Sequence, residues 1–159
     1  MTSPPPQPGG PARAILTGGV IAGLLDITFA FIFYGIHGST PIQILQSVAS
    51  GLLGESSFQG GAATAALGAF FQLLIPTVAA AVYYGLTRML PALRRHAVVS
   101  GLLYGIVVYV VMNQVVLPLS AIPFTPSRQF AMVAPAVVAH MFLVGLPIAL
   151  ANRRFLGEN

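Results

Sequence analysis

Apolar residues run along this chain in four long, nearly unbroken stretches, not in the short alternating or helically spaced patterns of water-soluble elements. The first, Ile15 to Ile36, reads ILTGGVIAGLLDITFAFIFYGI and is interrupted by a single acid, Asp26. No charged residue lies between Glu55 and Arg88, between Arg95 and Arg128, or between Arg128 and Arg153. Each of these gaps holds about 23 apolar residues, enough to cross roughly 30 Å of hydrocarbon with some tilt. The pattern predicts an all-α, polytopic membrane protein with four transmembrane helices, over 15–36, 62–86, 97–119 and 129–151.

The connection from His37 to Gly61 is too long for a turn. Within it, Thr40 is placed to cap a helix over 41–53 whose first residue is Pro41. Ile42, Leu45, Val48, Ala49 and Leu52 share one face of that helix, opposite Gln43, Gln46, Ser47 and Ser50. This predicts one amphipathic helix lying on the outer face and covering the bundle mouth, with a re-entrant or gating element as the alternative. The other outer loop, Ser120 to Arg128, is short, and Thr125 with Pro126 predicts a capped start for the last span. Four prolines among the first eight residues make 1–13 a disordered tail, and 155–159 forms a second tail. The first span is longer than the apolar core of a secretory signal and carries an acid, which predicts that it stays uncleaved. Phe71 and Pro76 recur as Phe142 and Pro147, and Gly23-Leu-Leu as Gly101-Leu-Leu, a pattern of two-helix units in parallel repeat.

Composition agrees: 56% of residues are hydrophobic and only 6% charged, against about 25% charged in soluble domains. The net charge of +4 comes from arginines, with no lysine, set against Asp26, Glu55 and Glu158. Those arginines sit singly or in pairs at the ends of apolar runs, which excludes the clustered basic face of a nucleic-acid reader. With both termini inside, Arg13, Arg88, Arg94, Arg95, Arg153 and Arg154 all fall on the cytoplasmic side and only Arg128 outside. That bias argues against dual topology, and the arginine-bearing side would favour anionic lipid. The absence of cysteine excludes disulfides, thiolate metal sites and thiol redox chemistry.

Asp26 lies roughly 18 Å into the first span at 1.5 Å per residue, close to the midplane. The same count brings Gln72, Tyr109 and His140 to a similar depth, with Asn113 one turn beyond Tyr109. Asp26 shares its face with Gly19, Ala22, Gly23 and Ala30; Gln72 with Ala65, Gly68, Ala69 and Pro76; Tyr109 with Gly101 and Gly105. Small residues mark surfaces where membrane helices approach closely, so these polar groups are expected to face inward. An ionised aspartate at that depth costs about 2.5 to 3.5 kcal/mol on insertion scales, so it must be protonated, paired or wet. His140 is the group at that level able to become cationic, which predicts an Asp26–His140 pair with Gln72 and Tyr109 as further partners. The alternative is polar glue that fixes helix register, worth about 0.6 kcal/mol per contact.

No HExxH, GxSxG or phosphate-binding loop occurs, so neither an enzyme nor a cofactor is expected. His37 and His96 lie near opposite faces, which weakens a bis-histidine haem. Tyr83, Tyr84 and Arg88 read as an interfacial anchor. The runs FAFIFYG, ILQSVASGLLG, GGAATAALG and GLLYG with VVLPLSA resemble a type of small four-span bacterial inner-membrane protein of unknown function, distantly YagU-like. The resemblance covers 14–154, implies the fold and the bacterial inner membrane, and transfers no catalytic residue. The functional expectation is a small proton-linked transporter or conductance pathway built on Asp26 and His140. A non-catalytic membrane subunit, docking a second copy or another membrane partner, is the alternative.

Overall fold

The computed structural model describes residues 9–125 and 127–156. Most of the N-terminal tail, the end of the C-terminal one, and Pro126 lie outside the described residues. The chain is all-helical, with four helices long and apolar enough to cross a membrane: α1 (Gly10–Gly35), α3 (Gly61–Met89), α4 (Ala97–Leu119) and α5 (Phe130–Leu156). Between the first two lies α2 (Pro41–Leu53). Helix α1 begins ahead of Ile15 because Pro11 stands in its first turn, where a missing N–H costs nothing. Helix α5 begins after Gln129 without a side-chain cap, so Thr125 does not start it as its spacing implied. Instead, Ser127 Oγ accepts from the Gln129 N–H at 3.3 Å.

The buried set is small and the exposed set is large, the reverse of a soluble core. Ala14, Ala22, Ala49, Ala80, Ala97 and Ala149 are buried, while Leu16, Ile32, Phe70, Val99, Leu103 and Phe130 lie open. Lipid is as apolar as leucine, so burying a large side chain gains little there, and close backbone approach supplies the packing instead. Helix α1 is the hub, packed on α3 and on the second half of α5, and α4 packs along α5. Glycines set these approaches. A Cβ at Gly18 would lie 3.2 Å from Ile148 Cα and from the Ala151 side chain, and one at Gly101 would lie 2.8 Å from the Ala149 side chain. A Cβ at Gly145 would collide with the backbone of Gly101 and Gly105.

Two proline-linked departures shape α4 and α5. Met112–Val116 and His140–Gly145 are wide π turns, each ending two residues before a proline, in VVLP and VGLP. Pro118 and Pro147 cannot donate to the preceding turn and crowd its carbonyls, and an extra residue in the turn relieves both. Pro76 does not behave like Pro147, its proposed repeat partner: α3 passes through it without a π turn.

Helix α2 differs from the expected surface helix. Its N-terminus forms the full capping box, with Thr40 Oγ1 accepting from the Gln43 N–H and Gln43 Oε1 accepting from the Thr40 N–H. Its orientation is the correction. Gln46 and Ser50 are 4% and 0% exposed, while Ile42 and Leu52 are 52% and 63% exposed. Gln46 Nε2 donates to Gly61 O at 3.1 Å and Thr64 Oγ1 at 3.3 Å, and Ser57 Oγ donates to Gln46 O at 2.6 Å. The backbone at Leu45 presses on Gly68 of α3. Ile44 and Ala49 are buried beside them, so the buried face mixes polar and apolar residues, and hydrogen-bond partners draw Gln46 and Ser50 inward. Gly54, at φ 61°, ends α2 in a conformation that only glycine adopts without strain, and Ala121 N–H donates to Gly51 O at 2.9 Å, tying the α4–α5 loop beneath it.

Candidate functional site

The small-residue face of α1 brings Asp26 against α3. Pro76 has no N–H, so the Gln72 carbonyl one turn earlier loses its helical donor. That carbonyl points at Gly23, where a Cβ would stand only 2.8 Å from it. The approach places the Gln72 side chain on α1, where Nε2 donates to Asp26 Oδ2 at 2.9 Å and to Gly23 O at 3.4 Å. Asp26 is half-buried, and among the described residues Oδ1 has no hydrogen-bond partner. Of the partners expected for Asp26, Gln72 is met, and no hydrogen bond joins Asp26 to His140 or Tyr109.

His140 is held elsewhere. Its Nδ1 lies 2.9 Å from Ala136 O, and because a carbonyl only accepts, Nδ1 carries the proton. Its ring meets Tyr109 edge to face, with centroids 5.3 Å apart. Gly105 lets α4 pass against the His140 backbone at the start of the π turn. Asn113 Nδ2 donates to Tyr109 O at 3.0 Å within α4. Two pairs thus form, Asp26 with Gln72 and Tyr109 with His140.

The two pairs share a cavity. A hollow of about 810 Å³ is lined by Asp26, Gln72, Tyr109, Asn113 and His140 together, and its lining extends to Gln43, Ile44, Ser47 and Val48 of α2. Ser39, Phe58, Thr125 and Ser127, from the connections between helices, line it as well. An adjoining hollow of about 250 Å³ shares Asp26, Gln72 and His140 and runs under α2 at Ser47 and Gly51. From Gly35 to Asp26 is nine residues of α1, roughly 14 Å of helix, so the carboxylate lies well inside the span.

Beyond Asp26, toward the face that carries the termini, the bundle closes. Tyr83 and Tyr104 pack with ring centroids 4.9 Å apart, Tyr104 Oη donates to Ala79 O at 2.7 Å, and Tyr83 Oη lies 2.8 Å from Ser100 Oγ. Ser100 Oγ in turn donates to Leu93 O at 2.6 Å, and Thr87 Oγ1 donates to buried Asn152 Oδ1 at 3.2 Å. Tyr83, read from sequence as an interfacial anchor beside Tyr84 and Arg88, is 1% exposed and belongs to this seal. Tyr84 does meet Arg88, whose Nη1 donates to its hydroxyl at 3.1 Å.

Sequence reasoning missed Met112 and Phe124 in the wall and the whole Tyr83–Ser100–Tyr104 seal. The signal for the seal was present in spacing: Ser100 and Tyr104 stand on the same face as Gly101 and Gly105. Nothing in the sequence marks Phe124, which reaches the cavity from the loop. Among the described residues, no three histidine, aspartate or glutamate side chains gather as a metal site requires. Set against family models, curated proteins and solved structures, the chain matches none of them.

Proposed function

We propose that this protein is a small proton-linked transporter of the bacterial inner membrane, with its termini in the cytoplasm and its binding cavity facing outward. The observation that carries this reading is the one cavity in which all five candidate side chains meet, with the Tyr83–Tyr104 contact packed on the side of the bundle that carries the termini. On this reading the cavity opens on the α2 side alone, as alternating access requires of one of its states. Intramembrane acids are costly and lie in wet or paired positions where they relay ions, and Asp26 has both a partner and a cavity. The arginines support the orientation, since six of the seven fall at helix ends on the face opposite α2. The glycine pairs and the two π turns supply surfaces along which α4 and α5 can shift without breaking a packed core of large side chains.

The test is proton movement in vesicles reconstituted with the purified protein and loaded with a pH-sensitive dye. Under an imposed potential, wild-type vesicles acidify faster than empty ones, and Asp26→Asn returns the rate to that of empty vesicles. Asparagine keeps an acceptor for Gln72, so the helix pairing survives the change. Equal rates for wild type and Asp26→Asn reject the proton role of Asp26.

A second reading has its own support. The Asp26–Gln72 bond, made beside a glycine contact, is also what register-fixing glue in a membrane subunit looks like. On that reading Asp26→Ala, which removes the acceptor for Gln72, lowers recovery of a defined complex on detergent extraction, and no substitution at Asp26 moves proton flux.

A further inference from the structure

We propose that the cavity takes an organic monocation with an apolar, aromatic-sized body, its charge set against Asp26. This names the substrate class of the site above and rests on the transport reading. The first support is charge. Among the described residues, Asp26 is the one carboxylate in the lining and no arginine lines it. His37 and His140 are the other ionisable nitrogens there, and each donates Nδ1–H to a carbonyl of its own helix, Phe33 O at 2.6 Å and Ala136 O at 2.9 Å. That engages one ring nitrogen of each histidine within its own helix, so neither side chain turns both nitrogens to the cavity. An anionic or zwitterionic ligand would find no permanent cation in these walls.

The second support is the state of the carboxylate. Gln72 fixes Oδ2 and so sets the carboxylate plane, while Oδ1 has no partner among the described residues. Gln72 orients the acid without supplying a positive charge, and a cation is the ligand that completes it.

The third support is the wall. Phe29, Tyr34, Phe58, Tyr109 and Phe124 all line the cavity, which suits the quadrupole attraction of aromatic rings for a cation. Met112 and Met132 add polarizable, adaptable contact. A small hydrated metal ion has no use for such walls, whereas an apolar body does. The volume of about 810 Å³ lies within the roughly 300–1,000 Å³ of sites for drug-sized ligands.

The experiment measures binding of tetraphenylphosphonium to the purified full-length protein in detergent, with tetraphenylborate as a probe of the same shape and opposite charge. The expected result is saturable binding of the cation, little binding of the anion, and a loss of about tenfold or more in cation affinity for Asp26→Asn, as removal of a charged contact implies. Asp26→Glu should retain most of the affinity. Equal binding of both probes, no saturable cation binding, or an unchanged affinity in Asp26→Asn overturns the proposal. The comparison of cation with anion needs only the wild-type chain and stands even where a variant fails to fold. Proton flux in the vesicle assay, measured without either probe, separates the two readings. Asp26-dependent flux without cation binding rejects the substrate class alone, and cation binding without flux rejects transport alone.

Discussion

Replacing Gly23 by alanine tests whether the approach of α1 to α3 is what places Asp26. The added Cβ would stand 2.8 Å from Gln72 O and 3.1 Å from Leu73 Cδ2. Ordinary contact begins at 3.4 Å, so the helices must part by 0.6 Å (3.4 − 2.8) at this level, because the backbone carbonyl cannot rotate away. If the Gln72–Asp26 bond opens by the same amount it goes from 2.9 to 3.5 Å, the edge of hydrogen bonding. Overpacking of this kind costs about 1–3 kcal/mol, and a lost transmembrane hydrogen bond adds about 0.6 kcal/mol. The helix propensity of alanine acts in the opposite direction, and Gly85→Ala isolates it, since a Cβ there meets nothing within 4 Å. The measurement is equilibrium unfolding in mixed detergent–SDS micelles, followed by near-ultraviolet circular dichroism of the five tyrosines, as the chain has no tryptophan. Gly23→Ala should be less stable than wild type by roughly 1.5–3.5 kcal/mol, and Gly85→Ala should be unchanged or more stable. A Gly23→Ala protein as stable as Gly85→Ala would refute the idea that this contact sets the Asp26 site.

The seal and the opening each have a direct test. Tyr83→Phe removes a buried hydroxyl that meets Ser100 Oγ and Leu93 O, and should lower unfolding stability by about 0.5–1.5 kcal/mol, while Tyr84→Phe, paired only with exposed Arg88, should change it by less than about 0.5 kcal/mol. Because the chain has no cysteine, single cysteines report access directly. On intact cells a membrane-impermeant maleimide should label Asn113→Cys in the cavity and spare Ser100→Cys in the seal until the protein is denatured; labelling of Asn113→Cys only from inside-out vesicles would reverse the proposed orientation.

The four spans were legible in the sequence because membrane length and the spacing of arginines constrain them almost alone, with no dependence on a partner. The small faces of α1 and α4 were legible too: Gly19, Ala22 and Gly23 do meet α3 or lie buried, and Gly101 and Gly105 meet α5. The direction of the α2 face was not. Periodicity states that Gln46 and Ser50 lie opposite Leu45 and Leu52, but which side faces protein depends on whether the helix is surrounded by water, lipid or hydrogen-bond partners. Here Gly61 O, Thr64 and Ser57 supply those partners, and they come from a neighbouring element.

The partner of Asp26 illustrates the same division. Depth along a helix is a one-dimensional quantity, so the sequence by itself determined that Asp26, Gln72, Tyr109 and His140 stand at similar heights. It could not determine who touches whom, because that depends on how far apart the helix axes lie. Pro76 and Gly23 bring α3 close enough for Gln72 to reach the carboxylate, while the π turn and the Ala136 carbonyl hold His140 with Tyr109. The cavity beside the two pairs is lined by side chains from all five helices, so it too is a product of packing. Hydrophobic length is a property of the chain and marked four helices long and apolar enough to cross a membrane; distances between helices are properties of packing, and they alone decided what stands beside Asp26.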